Sequence, residues 1–126
     1  MNLEQLSLLG SGTGNIAISD QSWEKLQQTR DIVEALSKKE EPVYGINTGF
    51  GRFSSVKIPY EKLMDLQYNL IRSHSTGVGK ILPPEYSRRI VALRINTLAK
   101  GFSGISLEVV KRLIAFFNSG CVPWIP

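Results

Sequence analysis

The sequence predicts a mainly α-helical protein of about four helices with a short extended pair at its N-terminus. Two observations carry the helical prediction. Apolar residues recur at three- and four-residue steps in several separate segments of the chain. These segments also begin at a capping residue or a proline and are followed by glycine or by charged and proline-containing stretches that end helices.

The extended pair is predicted from LEQLSLLGSGTGNIAISD, residues 3–20, in which a short apolar run and a short alternating run flank a glycine-rich turn. These glycines do not form a dinucleotide-binding loop, because no helix start follows them to hold a pyrophosphate. TGVGKI at 76–81 also fails as a phosphate-binding loop, since Ile81 stands where a serine or threonine would bind magnesium.

Two helices are predicted on either side of a glycine-rich stretch. The first begins at Ser19 or Asp20 and ends within the charged and proline-containing residues 38–42. The second begins at Pro59 and ends before Gly77. The residues expected on the buried face of this second helix are Leu63, Leu66, Leu70, Ser73 and His74.

Two more helices are predicted in the last third of the chain. One begins at Pro83 and Pro84, ends at Gly101 and is apolar on nearly all sides, so we expect it to have neighbours in several directions. The other is capped by Ser106 and ended by Gly120. Its apolar stripe comprises Val110, Leu113, Ile114 and Phe117.

Composition and sequence pattern argue against several classes of protein. The net charge is +4, but the cations are scattered without a basic stripe, which argues against a nucleic-acid partner. No apolar run approaches the roughly 20 residues of a membrane span, so we expect a cytoplasmic protein without a membrane partner. The single cysteine, Cys121, excludes a multi-cysteine metal site and is expected to be a small buried apolar residue.

The apolar ending CVPWIP, residues 121–126, is unlike a domain boundary, which is usually polar and exposed. Together with the third predicted helix, it indicates the N-terminal portion of a larger protein. A stand-alone helical module that binds a partner or an amino acid without chemistry is the alternative.

The stretch VYGINTGFGRF, residues 43–53, has no regular period and contains Gly45, Gly49 and Gly51. With LQYNLIRSHSTGVG, GFSGI and SGCVPWIP further along, it resembles the N-terminal region of the aromatic amino-acid ammonia-lyases, from about Pro42 to the last residue. The resemblance implies that residues 1–126 are the N-terminal fragment of a helical, fumarase/aspartase-like lyase domain with a catalytic loop at 43–57. It also implies a homotetramer.

By this resemblance, Tyr44 is the general base that takes a proton from the carbon beside the substrate's ring, and the three glycines let the loop move as a lid. Without the resemblance, a tyrosine in a glycine-rich loop is more often a packing residue. Asn47, Thr48 and Phe50 are expected to hold the shape of the loop rather than to touch substrate.

A lone histidine such as His74 at the end of a helix is commonly a capping or core residue. By resemblance, however, it falls where the family recognises the substrate's ring, and the pair Ser73-His74 is similar to the histidine-specific branch, with L-histidine as substrate. Phenylalanine or tyrosine ammonia-lyases and aminomutases remain alternatives, since some tyrosine aminomutases share the pair.

The resemblance further implies the electrophile MIO (methylidene-imidazolone), which the family forms from an internal Ala-Ser-Gly. That triad is absent, because Phe102-Ser103-Gly104 and Asn118-Ser119-Gly120 have the wrong first residue. We therefore expect MIO only in a longer protein and no activity from this chain alone.

Overall fold

The computed structural model describes residues 1–126 and is helical, as predicted. Its five α-helices are α1 (Leu3–Gly10), α2 (Asp20–Ser37), α3 (Leu63–His74), α4 (Pro84–Leu98) and α5 (Leu107–Asn118), and two short 3₁₀-helices cover Gly51–Phe53 and Tyr60–Lys62. The chain divides into two compact units: a core unit, Met1–Arg30 with Gly77–Pro126, and a loop unit, Asp31–Thr76.

The predicted N-terminal extended pair is wrong, because its first half is helix α1. Asn2 caps this helix through its side-chain oxygen, which accepts from the Gln5 amide at 2.9 Å. Gln5 Oε1 in turn accepts from the Asn2 amide at 2.9 Å, which completes a capping box. The reciprocal cap satisfies two of the first free amides and so stabilises a helix of only 8 residues.

The second half of the supposed pair, residues 13–19, has no regular secondary structure and no partner strand. The side-chain amide of Asn118 takes the place of a strand there. Asn118 Oδ1 accepts from the Ile16 amide at 2.8 Å, and its Nδ2 donates to the Ile16 carbonyl at 2.9 Å. The alternation of Ile16 and Ile18 therefore reflects an extended segment packed on helices, with both side chains half-buried against the core.

The core unit is built around α4 and α5, which pack on each other, while α1 packs on α4. Two clusters of buried apolar side chains fill it: Val91, Ala92, Ile95 and Phe117 in one, and Leu26, Leu98 and Val110 in the other. Arg88 is buried among them and donates from Nε to the Leu9 carbonyl at 2.9 Å, at the end of α1. Its guanidinium also lies 4.3 Å from the centre of the Phe117 ring, so one side chain ties three helices together.

The predicted starts of α4 and α5 are confirmed. Pro83 and Pro84 occupy the N-cap and first helical positions of α4, and the Ser106 side chain accepts from the Val109 amide at the start of α5. The stripe predicted for α5 faces the core unit, with Val110 and Phe117 fully buried. On α4, by contrast, Ile90 and Leu93 remain nearly half exposed within this chain.

In the loop unit, α3 is less buried than predicted. Leu63, Leu66 and Leu70 are half-buried, whereas Ser73 and His74, expected on the same face, are exposed. The helix ends at His74, before Gly77 as predicted, but it begins at Leu63, and the 3₁₀-helix Tyr60–Lys62 separates it from Pro59. The periodicity thus located the helix, but fewer apolar neighbours pack on it than the pattern suggested.

Cys121 is exposed, so the prediction that it is buried was wrong. It follows the end of α5 and lies beyond the packed stripe of that helix, where Ser119 Oγ is 3.3 Å from its sulfur. Separately, none of the helices combines the length and apolar character required to cross a membrane.

Candidate active site

The loop at 43–57 is anchored by Asn47, whose side chain is fully buried. Asn47 Oδ1 accepts from the Val43 amide at 2.6 Å. On the other side of the amide group, Nδ2 donates to the carbonyls of Glu41 at 3.0 Å, Lys39 at 3.2 Å and Leu36 at 3.5 Å. Because these carbonyls belong to the last turn of α2 and the residues after it, Asn47 attaches the loop to the end of that helix.

The backbone of Asn47 closes the loop from both directions. Its amide donates to the Val43 carbonyl at 3.2 Å, and its carbonyl accepts from the Ile58 amide at 2.8 Å. Beyond it, Thr48 and Lys57 form an isolated antiparallel bridge, and the Gly49 amide donates to the Val56 carbonyl at 3.1 Å. The loop therefore has a hydrogen-bonded base, which confirms the expectation that Asn47 holds its shape.

Tyr44 lies on a tight turn at the start of this loop. The turn is closed by the Ile46 amide, which donates to the Val43 carbonyl at 3.0 Å, and Gly45 adopts a φ of +78° within it. The Tyr44 side chain is 63% exposed, and its hydroxyl has no hydrogen-bond partner in the chain. Its ring meets Phe50 edge to face, with the centroids 6.4 Å apart.

The three glycines of the loop have different surroundings. Gly45 and Gly51 adopt positive φ, and a side chain at either position would meet open space. Gly49 is buried, and a Cβ there would lie 2.7 Å from Cβ of Phe53. Gly49 is therefore needed for close packing, whereas Gly45 and Gly51 are needed for the backbone conformation.

His74, the last residue of α3, is exposed, and its Nδ1 lies 2.9 Å from both the Leu70 carbonyl and Ser73 Oγ. A carbonyl can only accept, so in the neutral side chain Nδ1 carries the proton. Ser73 Oγ also donates to the Leu70 carbonyl, at 2.9 Å. With the proton on Nδ1, Nε2 is the ring nitrogen of His74 that remains to accept a hydrogen bond.

The structure does not join Tyr44 to His74 by a hydrogen bond or a ring contact. Both belong to the loop unit. A cavity of about 400 Å³ lies elsewhere, in the core unit, and is lined by parts of α1, residues 13–18 and α4. None of the predicted site residues lines it.

None of the three serine-glycine pairs of the chain can stand in for the Ala-Ser-Gly triad, because the residue before the serine is Gly10, Phe102 or Asn118. Ser103 Oγ accepts from the Ile105 amide at 3.5 Å in a turn before α5. Ser119 ends α5, and its hydroxyl donates to the Phe116 carbonyl at 2.8 Å. Ser11 Oγ likewise donates to the Leu8 carbonyl at 2.9 Å. All three serines thus serve local backbone structure, and the residues present do not fit MIO formation.

Comparison with known proteins shows the family of the chain. The family model for aromatic amino acid lyases matches residues 1–126. The chain belongs to that family. The match includes the first forty residues, whereas the sequence motifs indicated a resemblance only from about Pro42 onward. The resemblance therefore covers more of the chain than the motifs indicated.

Among relatives of this lyase chain, histidine ammonia-lyase from Homo sapiens is 48% identical over all 126 residues. Among solved structures, histidine ammonia-lyase from Trypanosoma cruzi covers the whole chain at 44% identity with a TM-score of 0.91. Tyrosine aminomutase from Streptomyces globisporus covers it at 35% identity with a TM-score of 0.93. The helical ammonia-lyase fold predicted from the sequence is thereby confirmed.

The lyase chain spans only part of these proteins. It corresponds to 19% of the length of the human protein, 25% of the Trypanosoma cruzi chain and 24% of the aminomutase chain.

Proposed function

We propose that the chain is the N-terminal part of a histidine ammonia-lyase, which converts L-histidine to trans-urocanate and ammonia. The observation that carries the proposal is the 48% identity to the human histidine ammonia-lyase over all 126 residues. Because a fold alone does not fix a reaction, the residues of the loop and of α3 must also suit that substrate.

Tyr44 is the general base in this proposal. Its exposed phenol, which has no partner within the chain, is free to meet a substrate. For this step Tyr44 must be in its phenolate form, and the proton on the carbon beside the substrate's ring passes to Oη to give the phenol. The electron pair of the broken C–H bond forms the double bond, and the C–N bond breaks so that the protonated amino group leaves as ammonia. Such a base must come within hydrogen-bond reach of the proton that it takes.

His74 recognises the substrate's ring in the same proposal. Its free Nε2 can accept a hydrogen bond from the imidazole N–H of L-histidine. An apolar side chain at this position would leave that N–H unpaired in a closed site, at a cost of about 1–3 kcal/mol.

Residues 43–57 act as a lid over the substrate. Gly51, which has positive φ and open surroundings, is the position where the backbone can absorb a movement, whereas Gly45 lies in the turn that Asn47 closes onto Val43. Gly49 is packed on Phe53 and belongs to the fixed base of the loop.

The complete enzyme needs parts that this chain does not supply. MIO and the remaining substrate-binding groups come from other residues in this proposal, since neither Ser103 nor Ser119 fits the triad. A homotetrameric assembly and a cytoplasmic location stay predictions.

A tyrosine aminomutase is the second candidate. The Streptomyces globisporus aminomutase has a TM-score of 0.93 with this chain. A free acceptor at His74 Nε2 also suits the phenol hydroxyl of tyrosine, whereas it offers nothing to phenylalanine. The higher identity to histidine ammonia-lyases favours L-histidine.

The test uses the full-length protein that contains this chain. We expect ammonia release and urocanate formation from L-histidine, with little turnover of L-tyrosine; faster conversion of L-tyrosine to its β-amino isomer would contradict the proposal. Tyr44→Phe keeps the ring but removes the ionisable oxygen, so kcat should fall about 10²- to 10⁴-fold while KM changes much less.

Tyr60→Phe is the matched control, because Tyr60 is similarly exposed in the loop unit and has no proposed role. Its turnover should stay close to that of the unaltered enzyme. Near-normal turnover of Tyr44→Phe would reduce Tyr44 to an anchor of the loop.

A further inference from the structure

Asn47 is a fully buried polar side chain of the loop unit, and its burial requires an explanation. An asparagine with no solvent exposure loses its hydrogen bonds to water, and it is tolerated only if the protein replaces them. Here every polar atom of the residue is engaged, including both backbone groups and both atoms of the side-chain amide.

The position of Tyr44 depends on this residue. Tyr44 itself has only the ring contact with Phe50, which lies on the same loop and cannot fix it to the rest of the unit. Its backbone, however, lies within a ring of five residues that Asn47 closes onto Val43 twice, through the side chain at 2.6 Å and the amide at 3.2 Å. With three residues between the closing points, Tyr44 cannot shift far unless Asn47 releases Val43.

The same side chain determines where that ring lies. Its Nδ2 donates to the carbonyls of Lys39 and Glu41, just beyond the end of α2, and reaches the Leu36 carbonyl inside the helix. The Asn47 carbonyl holds Ile58 on the other side of the loop. The anchored end of the loop is therefore fixed. Residues 50–55 extend beyond the last cross-loop hydrogen bond, which joins the Gly49 amide to the Val56 carbonyl.

We infer that Asn47 is a positioning residue, which holds Tyr44 at its catalytic position by fixing the base of the loop to the end of α2. The inference rests on the proposed role of Tyr44 as base. A displacement of about 1 Å can lower the rate of a positioned reaction about 10²-fold. If the tip of the loop moves while its anchored end stays fixed, Tyr44 also stays in place as the site opens.

Hydrogen exchange on the 126-residue chain tests whether Asn47 fixes the loop to the end of α2. In the unaltered chain, the amides of Val43 and Asn47 should exchange more slowly than those of Arg52 and Ser55 at the loop tip; equal rates would overturn the inference. Asn47→Ala should speed exchange at Val43 about 5- to 150-fold, as expected for the loss of one buried hydrogen bond. The Ile95 amide in the core unit serves as the internal reference.

Thr48→Val is the matched control for this experiment. Thr48 is equally buried, but its hydroxyl bonds only to the neighbouring Gly49 carbonyl, at 3.1 Å. Its loss should leave exchange at Val43 unchanged. If exchange at the Val43 amide rises equally in both variants, the substitutions destabilise the whole loop, and Asn47 does not specifically fix Val43. If Asn47→Ala does not fold, Asn47→Ser takes its place with the same readouts.

Kinetics of the full-length protein test whether Asn47 holds Tyr44 at its catalytic position. Asn47→Ala should lower kcat about 10²-fold with a much smaller change in KM. With L-histidine deuterated on the carbon beside the ring, the isotope effect on kcat should rise, because proton transfer becomes slower relative to other steps. A loss of folded enzyme would lower kcat without changing the isotope effect, and that result would overturn the inference.

A double-mutant cycle separates the two proposals. If Asn47 acts through Tyr44, Asn47→Ala should cost far less in a Tyr44→Phe background than alone. Full additivity would overturn the positioning role while leaving the base role of Tyr44 intact. Near-normal turnover of Tyr44→Phe alone would instead reject the role of Tyr44 as general base, whatever effect Asn47→Ala has on hydrogen exchange at Val43.

Discussion

At the scale of single residues, His74 combines a fixed ring with a free nitrogen. Nδ1 is held by the Leu70 carbonyl, so Nε2 is the atom left for a substrate. In the full-length protein, His74→Phe should lower the ratio of kcat/KM for L-histidine over L-phenylalanine by roughly 5- to 150-fold, the equivalent of one lost hydrogen bond in a closed site. Measuring both substrates on one preparation gives the ratio directly.

Ser75→Ala provides the control for His74. Ser75 is also exposed at the end of α3, and its hydroxyl donates to the Ile71 carbonyl at 2.7 Å, yet no role in recognition is proposed for it. The substrate ratio should hold in this variant. If His74→Phe lowers both activities equally, His74 is a helix-end residue, and the assignment to L-histidine must be withdrawn while the family stays.

The sequence predicted individual residues of the loop unevenly. Asn47 was expected to hold the loop, because asparagine bonds to nearby backbone in turns. Its reach back to Leu36 and Lys39 was not predictable, since such contacts depend on where α2 ends relative to the loop. Likewise, three glycines looked alike in the sequence, and only the structure separates Gly49, packed on Phe53, from the others.

At the scale of secondary-structure elements, the glycines that follow α4 and α5 allow a matched comparison. Gly101 and Gly120 have nearly equal φ values of +75° and +79°, but a Cβ at Gly101 would lie 2.8 Å from Lys25 Cβ, whereas Gly120 faces open space. Gly120→Ala should therefore cost about 1–2 kcal/mol of unfolding free energy for the left-handed backbone alone. Gly101→Ala should cost about 1–3 kcal/mol more.

Urea unfolding of the two variants of the chain measures this difference. Equal losses would mean that α2 moves away from Gly101 without cost, contrary to its packing at Lys25 and Leu26. The Thr29 hydroxyl, which donates to the Gly101 carbonyl, gives a further reason to expect resistance.

Among the elements, α2 to α5 were predictable and α1 was not. The four longer helices have 12 to 18 residues, long enough for an apolar period to emerge. In α1 only 8 residues are available, and the flanking glycines suggested a hairpin turn instead. The Asn-x-x-Gln spacing of Asn2 and Gln5 was the signal that could have identified it, since it is a variant of the capping box.

At the scale of the whole molecule, large apolar side chains remain exposed in each unit. In the loop unit, Met64 and Ile71 lie on the outer side of α3; in the core unit, Phe102 is 87% and Trp124 82% exposed. Isolated exposed apolar residues are ordinary, but groups of them mark surfaces that meet other protein. This exposure, with coverage of 19% of the human relative, supports the proposal that the functional enzyme has more protein around these residues.

The purified 126-residue chain should release no ammonia from L-histidine. Tyr44 and His74 can supply a base and a ring contact, but neither activates the amino group as a leaving group. The three serines that precede a glycine are bonded to backbone, Ser11 to Leu8, Ser103 to Ile105 and Ser119 to Phe116. Urocanate formation above that of a boiled sample would show chemistry in these residues that the absent triad does not provide, and the assignment of the electrophile to residues outside the chain would then fail.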